Sequence, residues 1–494
     1  MQTDAVISNF VALSAVPRRS HHENQIGDWL YAQAKKRGFA VMKDPCGNVW
    51  FDVPATKGLD HLPKTALQVH MDMVAAVAEG VAHNWEKDPV TVEMYEDAGE
   101  KWLRSLGNRT SLGSDDGIGI ALALAIADGV VPHGEIRIIV TVDEEDTQTG
   151  AKNLAEEFYR DIAYMINVDS ETDGEVTISS AAGDDETIVA HPEGCAPVKA
   201  TAYKIALTGF RGGHSGADID KGRANAITAL AKTIRKLCNA GVNAEFASFD
   251  GGSAPNAIPT SARAVVIIDE AEKKALGRVL TEALAEIAAV ETNAQLVAEK
   301  TEMPSAIPTV AWRNRALEFL CDVADGVHTM SETVPGLVES SSNLGIATVT
   351  SDTISFKIST RTSVDAKGAE ILAGHKALAE KCVFDWSCIR GCEPWPADPA
   401  NPLVPVATNA WREITGGEMA VVATHAGLEC GIFKNRAPQM NLVSIGPTII
   451  GPHTVDEKCL VASVKRNLLA LGRMLVTLPV TPRVGTRAPL LRPR

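Results

Sequence analysis

Three strand-length runs of this chain are apolar on both faces. TALQV (65–69), EIRIIVTV (135–142) and AYMINV (163–168) lack the alternation of a strand with one wet face. Strands of that kind are covered on both sides by helices. Helical patterns stand around them. Asn24 to Lys36 carries Ile26, Trp29, Leu30 and Ala34 at helical spacing and stops at Gly38, and Gly117 to Asp128 is an Ala/Leu/Ile-rich helix. With a short extended segment at 47–53, this predicts a mostly parallel α/β domain over residues 1–184.

From residue 185 the texture changes to an α+β alternation: YKIALTGF (203–210), a helix from Arg223 to Cys238, ARAVVIID (262–269), a helix from Glu270 to Val290, TISFKIS (353–359) and a helix from Asp365 to Cys382. Its two rounds of strand, helix and strand suggest a doubled unit spanning 185–392. The four prolines of CEPWPADPANP (392–402) predict a hinge, and MNLVSIG (440–446) reads as one more buried strand within 393–480. The last segment, 481–494, holds four Arg, three Pro and no acid, which predicts a disordered tail.

The chain has 494 residues with 47 Lys+Arg against 62 Asp+Glu, a net −15, the wrong sign for holding phosphate backbones. Nucleic acid is excluded as a partner on that ground. No apolar run approaches the roughly 20 residues that span a bilayer, and the N-terminus, with Asp4 and no basic start, reads as a helix rather than a signal peptide. Nine scattered cysteines without a CxxC pair suit a reducing compartment, so the expected location is cytoplasmic.

The acids and histidines stand where the buried strands end. TALQV runs into His70 and Asp72, EIRIIVTV into Asp143-Glu144-Glu145, AYMINV into Asp169, and MNLVSIG leads through a Gly/Pro turn to His453. Asp115 and Asp116 start the Ala-rich helix. In open α/β sheets the carboxyl ends of the strands are where ligands gather. Bare carboxylates cannot crowd a low-dielectric pocket, and divalent cations relieve the repulsion. Two His and three carboxylates suit a pair of Zn²⁺ ions with one carboxylate bridging. Asp72, two residues past His70, is placed to hold the other ring nitrogen. Of the Glu144-Glu145 pair, whose side chains diverge on extended backbone, one can bind metal while the other serves as base. No HExxH pattern offers a competing zinc site.

Gly213-His214-Ser215-Gly216-Ala217 approximates a nucleophile elbow, which would make Ser215 a nucleophile. The helix that should follow at once begins only near Arg223, so two readings remain: a Gly-rich turn with a surface histidine, or a polar group delivered to a substrate.

VHMDMV (69–74), LGSDDGIG (112–119), TVDEE (141–145), NVDSE (167–171), GGHSGADI (212–219), NAIP (256–259), HAGLECGIF (425–433) and SIGPTIIGPHTVDE (444–457) together resemble the cytosolic Xaa-His dipeptidase family, also called aminoacyl-histidine or cytosol non-specific dipeptidases, within the di-zinc group that includes carboxypeptidase G and the aminoacylases. The resemblance runs from the N-terminal helix to about residue 475. It implies a catalytic domain built from 1–184 and 393–480 with 185–392 as an inserted lid whose closure accompanies turnover, and a homodimer through the lid as one oligomeric state. It implies His70 and Asp169 on one zinc, Glu145 and His453 on the other, Asp115 bridging, Glu144 as general base and Asp72 orienting His70. His214 then polarises the substrate carbonyl, while Asn256 and Arg361 bind substrate. Mn²⁺ or Co²⁺ can stand in for Zn²⁺ in such a site.

The implied activity is hydrolysis of dipeptides with a free N-terminus, Xaa-His and β-alanyl-His included. The alternatives are an aminoacylase or carboxypeptidase of the same group, a serine hydrolase through Ser215, and a metal-binding protein without turnover. Asp116, Asp143 and Asp184 stand where the family often has uncharged residues, and the added negative charge is expected to favour a substrate ammonium group.

Overall fold

The structure, a computed structural model, describes residues 2–332, 334 and 336–480. The tail expected at 481–494 lies outside them. The chain divides into two compact units, one of Met1–Ile178, Asp398–Val422 and Ile432–Arg494, the other of Ser179–Ala397 and Ala423–Gly431. Residues 423–431, read from the sequence with 393–480, thus fall in the second unit.

The first unit is built on an eight-stranded sheet in the order Ala40–Lys43, Val49–Val53, Ile136–Thr141, Thr65–His70, Tyr164–Asn167, Asn441–Ser444, Glu175–Ser180, Ala420–Thr424. The four strands from Ile136–Thr141 to Asn441–Ser444 are parallel to one another. Val49–Val53 and Ala40–Lys43 continue the sheet antiparallel on one side, and Glu175–Ser180 does so on the other. The expected parallel character is therefore that of the centre. There every residue of Thr65–His70, Ile136–Thr141 and Tyr164–Asn167 is buried, as strands without a polar face require.

The helix Ser114–Ala127 explains how that burial is reached. All of its residues are buried, and it packs on the strand Thr65–His70 and against the helices Gln2–Ser14 and Val461–Thr477. Its small residues allow so close an approach. A Cβ on Gly117 would lie 2.6 Å from Nη2 of Arg18 and 2.9 Å from the ring of Phe10. Both neighbours are fully buried, and neither can swing aside.

The second unit is an antiparallel sheet of nine strands running from Gln295–Lys300 at one edge to Asp385–Cys392 at the other. The two rounds of strand and helix seen in the sequence are joined in this one sheet by the pairing of Glu245–Gly251 with Val338–Val349. The helices Ala226–Asn239, Lys273–Ala288, Val310–Asp322 and Asp365–Lys381 contribute to one apolar core with the sheet, in which Phe319 stacks on Phe356 at 4.9 Å. The helix expected from Arg223 begins at Ala226 because Asn225 caps it, its side chain accepting the amide of Ile227. At the expected hinge, Trp395 is buried and exchanges both backbone hydrogen bonds with Ser180, so that part of the segment is pinned. No helix among the described residues is long and apolar enough to cross a membrane.

Gly117→Ala is expected to lower the stability of the first unit by about 1–3 kcal/mol, the usual effect of overpacking a close-packed core. Thermal or urea unfolding against the unaltered chain checks it.

Candidate metal centre

The central strands stop within two residues of one another. His70 pairs with Thr141, and Gln68 and Ser444 both pair with Asn167. The residues just past these ends are Asp72, Glu144, Glu145, Asp169 and Glu171, and His453 rides between the short strands Ile449–Ile450 and Lys458–Leu460. Between His70 and His453 the start of the Ala-rich helix presents Asp115.

Asp115 faces both imidazoles. Its Oδ1 is 3.0 Å from Nε2 of His70, which is also 3.2 Å from Oδ1 of Asp169. Its Oδ2 is 3.1 Å from Nε2 of His453, which is also 2.8 Å from Oε2 of Glu145. Each ring nitrogen thus points at a spot shared with two carboxylates, and one carboxylate belongs to both spots. The atoms of His70, Asp115 and Glu145, of His70, Asp116 and Asp169, and of Asp115, Glu171 and His453 each lie within ligand distance of one another. Oε1 of Glu145 is buried without a hydrogen-bond partner. Imidazole nitrogens and carboxylate oxygens in this number suit borderline-soft divalent ions, and the unpartnered oxygen is what a ligand awaiting its cation would show.

The electrostatics agree. Burial pushes the Asp169 carboxyl well above its ordinary range, and burial, then Asp115, raises that of Glu145. Hydrogen bonds to Asp115 and Glu145 hold the His453 imidazolium up to about 11. Asp115, against both rings, is held well below the carboxylate range despite its burial. Protons on this cluster stand in for positive charge that a metal would bring.

Asp72 is wholly buried behind the centre. Its Oδ1 lies 3.3 Å from Nδ1 of His70, and it accepts the amides of Glu144 at 3.0 Å and Glu145 at 3.3 Å and the hydroxyl of Ser20 at 2.8 Å. The carboxylate that lies beside the His70 ring therefore also holds the backbone that carries both glutamates. That backbone is a turn after Asp143, whose φ is +56°, rather than the extended pair expected, because the strand ends at Thr141. Glu144 is half-buried, with Oε1 accepting from Nε2 of Gln148 at 3.0 Å.

The remaining expected residues gather in the second unit. Gly213–His214 pairs with Ala257–Ile258, and Ser215 donates its amide to the Asn256 carbonyl, which sets His214 beside Asn256. Nδ1 of His214 accepts the amides of Gly216 and Ala217, both at 3.2 Å, so the ring's proton sits on Nε2. Partial burial, then the Arg361 charge, lowers the His214 pKa. Ser215 is buried with its hydroxyl 3.4 Å from Nε of Arg361, and the neighbouring imidazole has spent Nδ1 on two amides. That removes the base a serine nucleophile needs.

The chain matches the model of peptidase family M20/M25/M40 over residues 66–477. It belongs to that family. It is 32% identical over 479 residues to the cytosol non-specific dipeptidase of Escherichia coli (strain K12), covering 95% of this chain and 96% of that protein. The crystal structure of an aminoacylhistidine dipeptidase from Vibrio alginolyticus matches it with a TM-score of 0.86 at 29% identity, covering 96% of each chain. A tripeptidase from Staphylococcus aureus subsp. aureus Mu50 shares the fold with a TM-score of 0.56 at 15% identity, over 96% of this chain and 97% of that one.

This M20 peptidase carries at its centre one acid that the sequence reading placed there, Asp116, and one that the strand-end pattern did not single out, Glu171. Asp116 is buried and accepts the His70 amide at 3.2 Å. Glu171, two residues past Asp169, has its carboxyl pushed up to about 8 by burial and by Asp115. The three added acids are not bare charges. Besides Asp116, Asp143 accepts from Thr147 and lies 3.2 Å from His21, and Asp184, in the second unit, is held by Arg390 at 3.1 Å.

A carboxyl at about 8 in the fold against an ordinary 4.5 binds its proton more tightly folded than unfolded. Its stabilising contribution is full below about pH 4.5 and lost as pH rises through about 8. The melting temperature of chelator-treated protein is expected to fall across that window, and Glu171→Gln, which cannot ionise, to flatten the fall.

Proposed function

We propose that this peptidase is a metal-dependent dipeptidase acting in the cytoplasm on dipeptides with a free N-terminus, Xaa-His and β-alanyl-His among them, with Zn²⁺ as its two ions and Mn²⁺ or Co²⁺ as substitutes. The observation that carries the reading is Asp115, whose two oxygens face two imidazoles, each with a further carboxylate at 2.8–3.2 Å. His70 and Asp169 would hold one ion and Glu145 and His453 the other, with Asp115 on both. The names of the Escherichia coli and Vibrio alginolyticus relatives support the substrate class, and nine scattered cysteines without a CxxC pair support a reducing compartment.

Bound divalent ions supply electrophilic polarisation of the scissile carbonyl and acidify the attacking water. The chain's own groups do the rest. Glu144, whose backbone is held by Asp72, takes a proton from the attacking water and returns it to the leaving amine. Asp72 keeps His70 in one tautomer by engaging Nδ1, leaving Nε2 for the centre. His214 donates its Nε2 proton to the carbonyl oxygen as negative charge develops there. Arg361 and Asn256 engage the substrate carboxylate and carbonyl. Arg361 suits an anion because its guanidinium is largely desolvated.

Glu144→Ala is expected to lower kcat by about 10²–10⁴-fold, the range of a lost general base, while two equivalents of metal remain by elemental analysis. A near-normal rate would remove its assignment. A panel of dipeptides assayed beside their N-acetylated forms separates this reading from an aminoacylase: only the free amines are expected to turn over.

A further inference from the structure

The turn that presents Asp115 has no local cap. Gly113 precedes the helix in the left-handed region, at φ +68°, without a side chain to accept the first helical amides, and Asp115 and Asp116 depart from helical φ/ψ. Amides at such a start need partners when buried. They find a remote one. Glu457, buried, accepts the amides of Leu112 at 2.8 Å and Gly113 at 2.9 Å on Oε2, and the amide and hydroxyl of Ser114 at 2.7 and 2.6 Å with the Asp115 amide at 3.4 Å on Oε1.

The opposite charge gathers the carbonyls. Arg18, also buried, donates from Nη1 to the carbonyls of Met71 at 3.1 Å and Asp72 at 2.9 Å, and from Nη2 to that of Gly113. A Cβ on Gly113 would meet Nη2 at 2.5 Å, so this position must be glycine for the guanidinium to sit there as well as for its φ. The two side chains hold one turn, Glu457 by its amides and Arg18 by a carbonyl. Arg18 ties it to the strand end that carries His70, and Glu457 ties it to the hairpin that carries His453, four residues away.

We propose that Glu457 and Arg18 are positioning residues that fix Asp115 between His70 and His453 and thereby set how tightly a pair of divalent ions is held. The inference rests on the metal-peptidase reading above. Neither side chain is a ligand. Glu457 acts through the amides of residues 112–115 and Arg18 through the carbonyls of Met71, Asp72 and Gly113, and because both oxygens of Glu457 accept from N–H groups, no uncharged isostere can satisfy all of them. A glutamine there places an NH₂ against backbone donors whichever way it turns.

The test is Glu457→Gln, measured by competition with a chromophoric chelator for Zn²⁺, with the melting temperature and far-UV circular dichroism of the metal-free protein followed alongside. The expected result is a rise of about 10–100-fold in the Zn²⁺ dissociation constant, the usual effect of losing a group that orients ligands, with the metal-free fold preserved and kcat restored by excess Zn²⁺. A purely structural role would lower the melting temperature and leave metal affinity untouched, and that outcome overturns the proposal. Should Glu457→Gln not fold, Ser114→Ala, which removes one hydroxyl donor from the same oxygen, is measured in its place. A weaker hold on Zn²⁺ is expected there, and an unchanged constant overturns the proposal. Unaltered protein that takes up no Zn²⁺ would remove the metal-peptidase reading and this inference together, whereas unaltered protein that binds it beside a variant of equal affinity removes this inference alone.

Discussion

Repulsion among closely packed carboxylates is the constraint on which this structure turns. Asp115, Asp116, Glu145, Asp169 and Glu171 approach one another around two imidazoles, and burial raises the pKa of four of them. Such a cluster is held by protons, by cations or by both. Asp115 alone goes the other way, below the carboxylate range, because it alone faces both rings. The single carboxylate shared by two nitrogens organises the centre, and its neighbours complete one side or the other.

Holding Asp115 there is a problem of backbone rather than of side chain. Parallel strands buried on both faces bring their carboxyl ends into register, which accounts for His70, Glu145 and Asp169 but not for Asp115, which starts a helix. That turn is secured by charges taken from far along the chain, Arg18 and Glu457. Buried charges of this kind are tolerable only when hydrogen-bonded nearly to saturation, and Glu457 is met by five donors. Asp72 does for the Glu144-Glu145 turn what Glu457 does for the Asp115 turn.

Much of the centre was legible in the sequence because periodicity and strand ends are local. Runs such as TALQV and EIRIIVTV announce covered strands, and the first polar residues beyond them announce where the strands stop. Glu171 escaped because it follows Asp169 in a loop, where no pattern separates a cleft-facing acid from a solvated one. Arg18 and Glu457 escaped because their partners are backbone groups distant in the chain, and backbone groups leave no trace in composition. The strand Val338–Val349 was missed for a related reason. Its buried Ser341 and Asn343 are polar because they bind His425 and the carbonyls of Pro255 and Ala257, so the run lacks the apolar signature of a sheet interior.

The claim that Asp115 is shared between two metal ions is tested most directly by anomalous diffraction from crystals of the Zn²⁺-loaded protein, recorded on both sides of the zinc absorption edge. The result expected is two peaks, one in contact with His70 and Asp169, the other with His453 and Glu145, and Asp115 touching both. A single peak, or a pair in which Asp115 touches only one, would contradict it.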